Sequence, residues 1–206
     1  MNLDTVCVWE AVNRSSEYET ACFERYAEHP TGGYAIVANI PVGDYNWEEL
    51  IDHRRSLAKT IGKKDLKNKI AQKYQTLGFN EQNSSLDCVS DKNFPNIFEE
   101  FAASVGLKDW WYRIQIQQPG QVFPTHVDSL RSWAIEFEQA AKTHTHRQVK
   151  RFQIFLYDQE VGHFMSVGNT PLTWKKGDVV QFDHRIPHAT ANSGFTPKAL
   201  AVLEGV

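Results

Sequence analysis

The sequence has few cysteines and no long apolar run. Its three cysteines, Cys7, Cys22 and Cys88, are widely spaced and form no Cys-x-x-Cys pair, which excludes a disulfide framework and a thiolate zinc site. No apolar stretch approaches the roughly 18 residues that a membrane span requires, and the first residues lack the basic and apolar regions of a secretion signal. We therefore expect a cytoplasmic protein with no membrane partner.

Charge of one sign is also scarce. The 22 basic and 25 acidic residues give a net charge of −3, so the chain has no general attraction to nucleic acid or anionic lipid. Basic residues nevertheless cluster twice, in residues 54–73 and 142–151. Solvated helix faces are the simpler interpretation of both clusters, and phosphate binding is the alternative. A length of 206 residues with 41% hydrophobic residues predicts one domain with a sizeable core.

Hydrophobic periodicity divides this single domain, residues 1–206, near residue 110. Residues 1–110 have mainly helical spacing and are predicted to form a mainly helical support region. Within it, helices are predicted over residues 50–61, 66–77 and 95–105, and a strand over residues 34–40.

Residues 111–206 have a different pattern, of short strands separated by turns, which is typical of a barrel or sandwich. Strands are predicted over residues 112–117, 152–157, 163–167, 179–182 and 199–203. Residues 129–147 interrupt the strands with helical spacing, and we expect them to form a flap over one mouth of the barrel.

A candidate metal site lies in the second half. His126 and Asp128 follow the Pro119-Gly120 turn and lie at a strand end, where residues two apart point the same way. His188 comes after a turn, an apolar strand and Pro187. Two histidines and one carboxylate form the facial triad of non-haem iron(II) oxygenases, which leaves coordination positions open. A structural zinc site would need a fourth protein ligand.

Three other histidines compete for a role. His184 lies four residues before His188, but His188 follows the proline bend and sets the spacing to Lys198. We therefore prefer His188 as the ligand, and expect His184 to be a supporting or core histidine. His144 and His146 lie in a polar, basic stretch, and we expect them in a solvated loop.

Lys198 stands ten residues beyond His188 and begins a predicted strand, where it shares a face with Leu200 and Val202. If that face is the interior, the ammonium group requires an anionic partner, which the distal carboxylate of a 2-oxo acid would supply. The alternative is an exposed lysine at the end of an edge strand.

Three linked motifs make residues 111–206 resemble the 2-oxoglutarate and iron(II)-dependent oxygenases, within the aspartyl/asparaginyl β-hydroxylase-like group. The motifs are RIQIQQPG leading into FPTH at residues 113–126, RFQIFL at residues 151–156, and LTWKKGD through FD to the histidine at residues 172–188. The resemblance implies an α+β fold, in which N-terminal helices pack on a double-stranded β-helix core of the jelly-roll or cupin type.

The resemblance also assigns roles to residues of this chain. It implies iron ligation by His126, Asp128 and His188, and anchoring of the 2-oxoglutarate C5 carboxylate by Lys198. Lys198 stands where the family more often has arginine, which keeps the charge but loses the bidentate fork. The vertebrate β-hydroxylases lack the carboxylate ligand that Asp128 provides here.

Further contacts are implied around these ligands. Gln115 and Gln153 match positions that orient the cosubstrate, and Arg151 matches an arginine that can face a substrate carboxylate. In the flap, Arg131 and Trp133 are candidates for closing over a substrate, with core packing as the alternative for the tryptophan.

The activity that the resemblance implies is that of a dioxygenase that uses Fe(II), 2-oxoglutarate and O2. It would hydroxylate an unactivated C–H bond of a small amino-acid-like molecule or a peptidyl side chain and release succinate and CO2. Two alternatives stay open: a nucleic-acid-modifying oxygenase of the same superfamily, and a non-catalytic cupin-like metal or ligand binder. The basic clusters favour the first, but the stretch after His188 lacks the paired arginines of the nucleic-acid dealkylases.

Overall fold

The computed structural model describes residues 1–30, 33–56, 69–80, 82–89 and 97–206. The helices in this part of the chain are α1 (Val8–Asn13), α2 (Ser15–Glu28), α3 (Lys69–Thr76), α4 (Ile97–Ser104), α5 (Arg131–Glu136) and α6 (Glu138–Thr143), with a short 3-10 helix at Trp47–Leu50. The strands are β1 (Ala35–Asn39), β2 (His53–Ser56), β3 (Ser85–Val89), β4 (Trp111–Gln117), β5 (Val122–His126), β6 (Lys150–Phe155), β7 (His163–Val167), β8 (Thr170–Pro171), β9 (Asp178–Gln181), β10 (His188–Asn192) and β11 (Lys198–Gly205). None of these helices is long and apolar enough to cross a membrane.

The strands form two antiparallel sheets that share one apolar core. The larger sheet has the order β1-β9-β6-β11-β4-β3-β2, and the smaller one has the order β5-β10-β7-β8. Phe155, Leu200 and Val202 of the larger sheet pack with Met165 and Val167 of the smaller one. This arrangement, with helices packed outside it, confirms the predicted α+β fold with a double-stranded β-helix core.

The larger sheet is covered on both faces. On the face away from the smaller sheet, Ile114 and Ile116 of β4 pack with Phe98 and Phe101 of α4. Every residue of β11 is consequently buried. A strand buried on both faces has a nearly continuous apolar sequence, which explains the run of apolar residues after Lys198.

Several sequence predictions are confirmed. The strand predicted over residues 34–40 is β1, and the helix predicted over residues 95–105 is α4. Gly106 follows α4 with φ of 69°, a left-handed conformation that ends helices and that glycine adopts most easily. The helix predicted over residues 66–77 is confirmed in its described part, Lys69–Thr76.

The helix predicted over residues 50–61 is wrong in its described part. The 3-10 helix ends at Leu50, and β2 then pairs with β3 in antiparallel register. Asp52 extends this pairing, because its N–H donates to the Cys88 carbonyl oxygen at 3.0 Å. Pairing with a distant strand here outweighs local helical spacing, as tertiary context commonly does. Residues 57–68 lie outside the described residues.

The first 110 residues contribute strands as well as helices. Strand β1 pairs with β9, and β3 pairs with β4, so the larger sheet extends across the division at residue 110. In the predicted flap, α5 and α6 pack on α1, with Val8 beside Leu130, Trp133 and Ala140.

Candidate functional site

Antiparallel pairing of β5 and β10 brings the predicted metal ligands together. His126 ends β5 and lies directly opposite His188, the first residue of β10. Asp128 follows His126 by two residues, and the ligand atoms of all three lie within 4.8 Å of one another. The Nε2 atom of His188 is 3.1 Å from Asp128 Oδ2, and that of His126 is 3.8 Å from Asp128 Oδ1.

Backbone carbonyls fix both imidazole rings. His126 Nδ1 lies 2.9 Å from the Pro124 oxygen, and His188 Nδ1 lies 2.9 Å from the Ile186 oxygen. A carbonyl only accepts hydrogen bonds, so each Nδ1 carries the proton and each Nε2 presents a lone pair. Burial, together with the neighbouring His188, lowers the pKa of His126 to about 3, which keeps this imidazole neutral.

The donor set fits a divalent metal. His188 Nε2 is buried and has no hydrogen-bond partner in the part of the chain that the structure describes. Burial opposes ionisation of Asp128, but the Arg151 charge holds the pKa of its carboxyl well below its usual range. Two imidazoles and one carboxylate that converge on one point form the ligand set of mononuclear non-haem iron(II) sites.

Arg151 holds the carboxylate ligand. Its Nη1 lies 2.7 Å from Asp128 Oδ2 and 2.8 Å from Glu204 Oε1. Trp111 in turn donates from Nε1 to Glu204 Oε2 at 2.9 Å. The structure therefore places Arg151 beside the candidate metal ligand, and its contact with a substrate stays a prediction.

The loop between the first two ligands is held from both sides. The Asp128 N–H donates to the His184 carbonyl oxygen at 3.1 Å. The side chain of Val127 is buried in an N-terminal apolar cluster of Leu3, Val6, Ala11, Tyr18 and Cys22. The first 22 residues thus support the ligand loop directly.

His146 is fully buried, so the prediction of a solvated loop is wrong for this residue. Its Nδ1 lies 2.9 Å from Tyr18 Oη and 3.1 Å from His184 Nε2. The reason is a long-range attachment of its loop, in which Val8 N–H donates to the His144 oxygen at 3.0 Å. His184 is a buried supporting histidine, as predicted, and burial lowers its pKa to about 4.

Lys198 is 3% exposed, so the alternative of an exposed edge-strand lysine is wrong. Its Nζ donates to the Phe164 oxygen at 2.8 Å, to the Ala191 oxygen at 3.3 Å and to Thr190 Oγ1. No carboxylate of the described residues pairs with it, and burial lowers its pKa to about 7. A buried cation without a counter-ion is costly, and a bound carboxylate would relieve that cost.

Sequence analysis did not identify Thr190, which contacts Lys198 and lies on the same strand as the candidate ligand His188. His188 and Thr190 are two residues apart on β10, so their side chains point the same way about 7 Å apart. Thr190 Oγ1 also donates to Gln117 Oε1 at 3.1 Å. The signal available in the sequence was the His-x-Thr spacing on one strand.

Gln115 and Gln153 lie on the same sheet face as Lys198. Gln115 pairs directly with Leu200, and Gln153 with Val202, and paired residues of an antiparallel sheet share a face. Gln153 is buried, and its Oε1 has no hydrogen-bond partner among the described residues. Contact of either amide with 2-oxoglutarate stays a prediction.

The two flap residues have different positions. Arg131 borders a small polar cavity of about 40 Å³ together with Asp128 and Gln115. Trp133 is fully buried against Val8, and its Nε1 donates to the Asp109 oxygen at 2.5 Å. The structure thus brings Arg131, but not Trp133, close to the candidate metal ligand Asp128.

Comparisons with known proteins found similarity in fold. No family model matches the chain, and no curated protein matches it. A collagen prolyl hydroxylase of Paramecium bursaria Chlorella virus 1, in complex with 2-oxoglutarate, is 13% identical, covering 66% of this chain and 88% of its own at a TM-score of 0.42. A conserved barrel domain protein of the cupin 2 type from Salinispora arenicola is 11% identical, covering 59% and 76% at a TM-score of 0.35. A predicted oxalate decarboxylase from Thermotoga maritima is 12% identical, covering 60% and 82% at a TM-score of 0.35.

Proposed function

We propose that this protein is an Fe(II)- and 2-oxoglutarate-dependent dioxygenase that hydroxylates an unactivated C–H bond of a small amino-acid-like molecule or a peptidyl side chain. One observation carries the proposal: three candidate metal-binding side chains converge where β10 begins, and the uncompensated buried Lys198 of β11 contacts Thr190, two residues further along β10. A metal ion and an anion would therefore bind side by side in one cavity.

A three-residue ligand set suits this reaction because it leaves coordination positions for a bidentate 2-oxo acid and for O2. The metal would be held by His126, Asp128 and His188, and the far carboxylate of 2-oxoglutarate by Lys198 and Thr190. When bound, iron(II) with 2-oxoglutarate and O2 supplies the oxidising power for hydroxylation, and succinate and CO2 are the coproducts.

The remaining residues prepare the cavity for these groups. The Pro124 and Ile186 carbonyl oxygens orient the two imidazoles, and Arg151 keeps Asp128 ionised. Apolar residues of both sheets, among them Phe155 and Met165, surround the inward face and limit the access of water.

The proposal is tested by uncoupled turnover, measured as succinate released when the iron-loaded protein is incubated with 2-oxoglutarate in air. We expect succinate from the parent protein and none from His126→Ala or His188→Ala. His29→Ala, which changes an exposed histidine at the end of α2, is the matched control and should behave as the parent.

Equal succinate release from the parent and both ligand variants would contradict the site assignment. Binding of metal and 2-oxoglutarate without succinate release would instead favour a non-catalytic cupin-like binder.

A further inference from the structure

A cleft of about 570 Å³ opens beside the metal centre. Its walls are the starts of β1 and β6, the end of β9 with the loop that follows, and part of the N-terminal segment. Two lining residues also contact the ligand Asp128: Arg151 through its guanidinium group and His184 through its carbonyl oxygen. The volume is that of a small-molecule site.

Positive charge is concentrated in this cleft, although the chain as a whole carries −3. Two carboxylates, Asp4 and Asp183, line it against five cationic side chains. These are Arg25, Arg147, Lys150, Arg151 and Arg185.

The carboxylates neutralise only part of this charge. Asp4 pairs with Arg25 at 3.0 Å and with Arg185 at 3.1 Å, and Asp183 pairs with Arg185 at 2.6 Å. Arg151 is compensated by the carboxylates next to the metal site.

Two cationic side chains of the cleft are not neutralised by these ion pairs. Within the described ranges, neither Arg147 nor Lys150 forms an ion pair, and both side chains are exposed. A cleft with unpaired charge of one sign focuses the field and attracts ligands of the opposite sign.

Two buried nitrogen atoms of the lining residues also lack partners. Arg151 Nε and His146 Nε2 have no hydrogen-bond partner in the described part of the chain. The Arg151 Nε–H can only donate.

We assign the proton of His146 to Nε2, because Nδ1 faces the Tyr18 hydroxyl and His184 Nε2 as possible donors. Burial lowers the pKa of His146 to about 2, so the ring is neutral and carries one proton. Both unpaired nitrogens are then donors, and each requires an acceptor oxygen.

We propose that this cleft binds an anionic group, a carboxylate or a phosphate, of the small-molecule substrate. Arg147 and Lys150 attract the anion, and Arg151 and His146 donate hydrogen bonds to its oxygens. Ionised acceptors form stronger hydrogen bonds than neutral ones, which favours an anion over a neutral group. That the anion belongs to the substrate rests on the proposed function, whereas anion binding itself does not.

The experiment is a calorimetric titration of the metal-free full-length protein with inorganic phosphate and, separately, with malonate at low ionic strength. We expect binding of at least one probe, and the preferred probe identifies the phosphate or the carboxylate class. Arg147→Gln/Lys150→Gln should bind that probe about tenfold more weakly.

The control is Lys108→Gln/Lys175→Gln, which removes two exposed cations outside the cleft and changes the net charge equally. Equal loss in both double variants, or no binding of either probe to the parent, would overturn the proposal. So would tighter binding of a single-stranded oligonucleotide that only the cleft variant loses, since it would identify a nucleic-acid surface. Because no metal or turnover enters this titration, its failure would leave the succinate assay unaffected.

Discussion

Single hydrogen bonds determine the chemistry of the candidate metal site at the scale of the residue. The Pro124 and Ile186 carbonyl oxygens each hold one imidazole Nδ1, which leaves Nε2 for a metal. The Lys198 ammonium group is bound only by neutral acceptors. Its hydrogen-bond donors are therefore satisfied, but its charge is not compensated. Imidazoles that are already oriented can bind a metal without rearrangement, and an uncompensated cation can bind an anion.

Lys198→Met should stabilise the metal-free protein and abolish 2-oxoglutarate binding. Burial lowers the pKa of Lys198 from 10.5 to about 7. Between these values the unfolded chain binds more protons than the folded one, so this group makes stability rise with pH from about 7 to 10.5. The penalty is fully present below about pH 7, where both states are protonated. At about 1.4 kcal/mol per pKa unit, its removal should gain on the order of a few kcal/mol at pH 7.

Urea denaturation of parent and variant at pH 7 and pH 9.5 measures this gain. We expect the difference in free energy of unfolding to shrink at the higher pH. Lys108→Met, at an exposed position, should show no such pH dependence. A Lys198→Met protein that is less stable than the parent at pH 7 would contradict the assignment of an uncompensated ammonium.

Arg151→Met should destabilise the metal-free protein by about 3 kcal/mol, because it leaves the buried carboxylates Asp128 and Glu204 without their cation. A divalent metal would restore positive charge next to Asp128, so Ni²⁺ should stabilise the variant more than it stabilises the parent. Thermal denaturation with and without Ni²⁺ measures both effects. Arg14→Met removes only surface ion pairs and should lower the free energy of unfolding by less than about 1 kcal/mol. A loss of stability in Arg151→Met that is the same with and without Ni²⁺ would contradict this prediction.

At the scale of the element, the N-terminal helices support the loop between His126 and Asp128. Tyr18 of α2 contacts His146, which contacts His184, whose carbonyl oxygen accepts from Asp128 N–H. Val127 packs into the same N-terminal cluster. These contacts give the N-terminal helices a part in the candidate site that composition alone does not indicate.

Tyr18→Phe should weaken metal binding about tenfold, the effect typical of contacts that orient metal ligands. The free energy of unfolding should fall by only about 1.5 kcal/mol or less, since one hydrogen bond is lost. Titration with Ni²⁺ followed by thermal shift measures the first quantity. Tyr26→Phe changes another tyrosine of α2 and should leave metal affinity unchanged. Equal metal affinities in the two variants would show that the contacts of Tyr18 do not orient the metal ligands.

The elements also show what could be predicted from sequence and why the rest could not. Short apolar segments separated by turns predicted several strands of the second half, and the placement of His126, Asp128 and His188 predicted a cluster that the structure does form. Strand β2 was predicted as helix because its conformation depends on β3, far along the chain. The burial of His146 likewise depends on an N-terminal segment to which no local pattern connects it.

At the scale of the whole molecule, two sheets enclose one apolar interior, and the candidate metal ligands lie at one end of it. The metal ligands and Arg151 lie at the end of the barrel where β6 begins, and the cationic cleft opens there as well. Lys198 points into the interior between the sheets. In the proposed arrangement, a substrate bound in the cleft would reach the metal from outside, and 2-oxoglutarate would lie in the interior beside Lys198.

The most direct test of the central claim is the amount of succinate formed per 2-oxoglutarate consumed by the iron-loaded parent protein, in air and under nitrogen. The account predicts equal amounts in air, no succinate under nitrogen, and none in either atmosphere for His188→Ala. Consumption of 2-oxoglutarate in air without succinate, or succinate formation that is independent of oxygen, would contradict it.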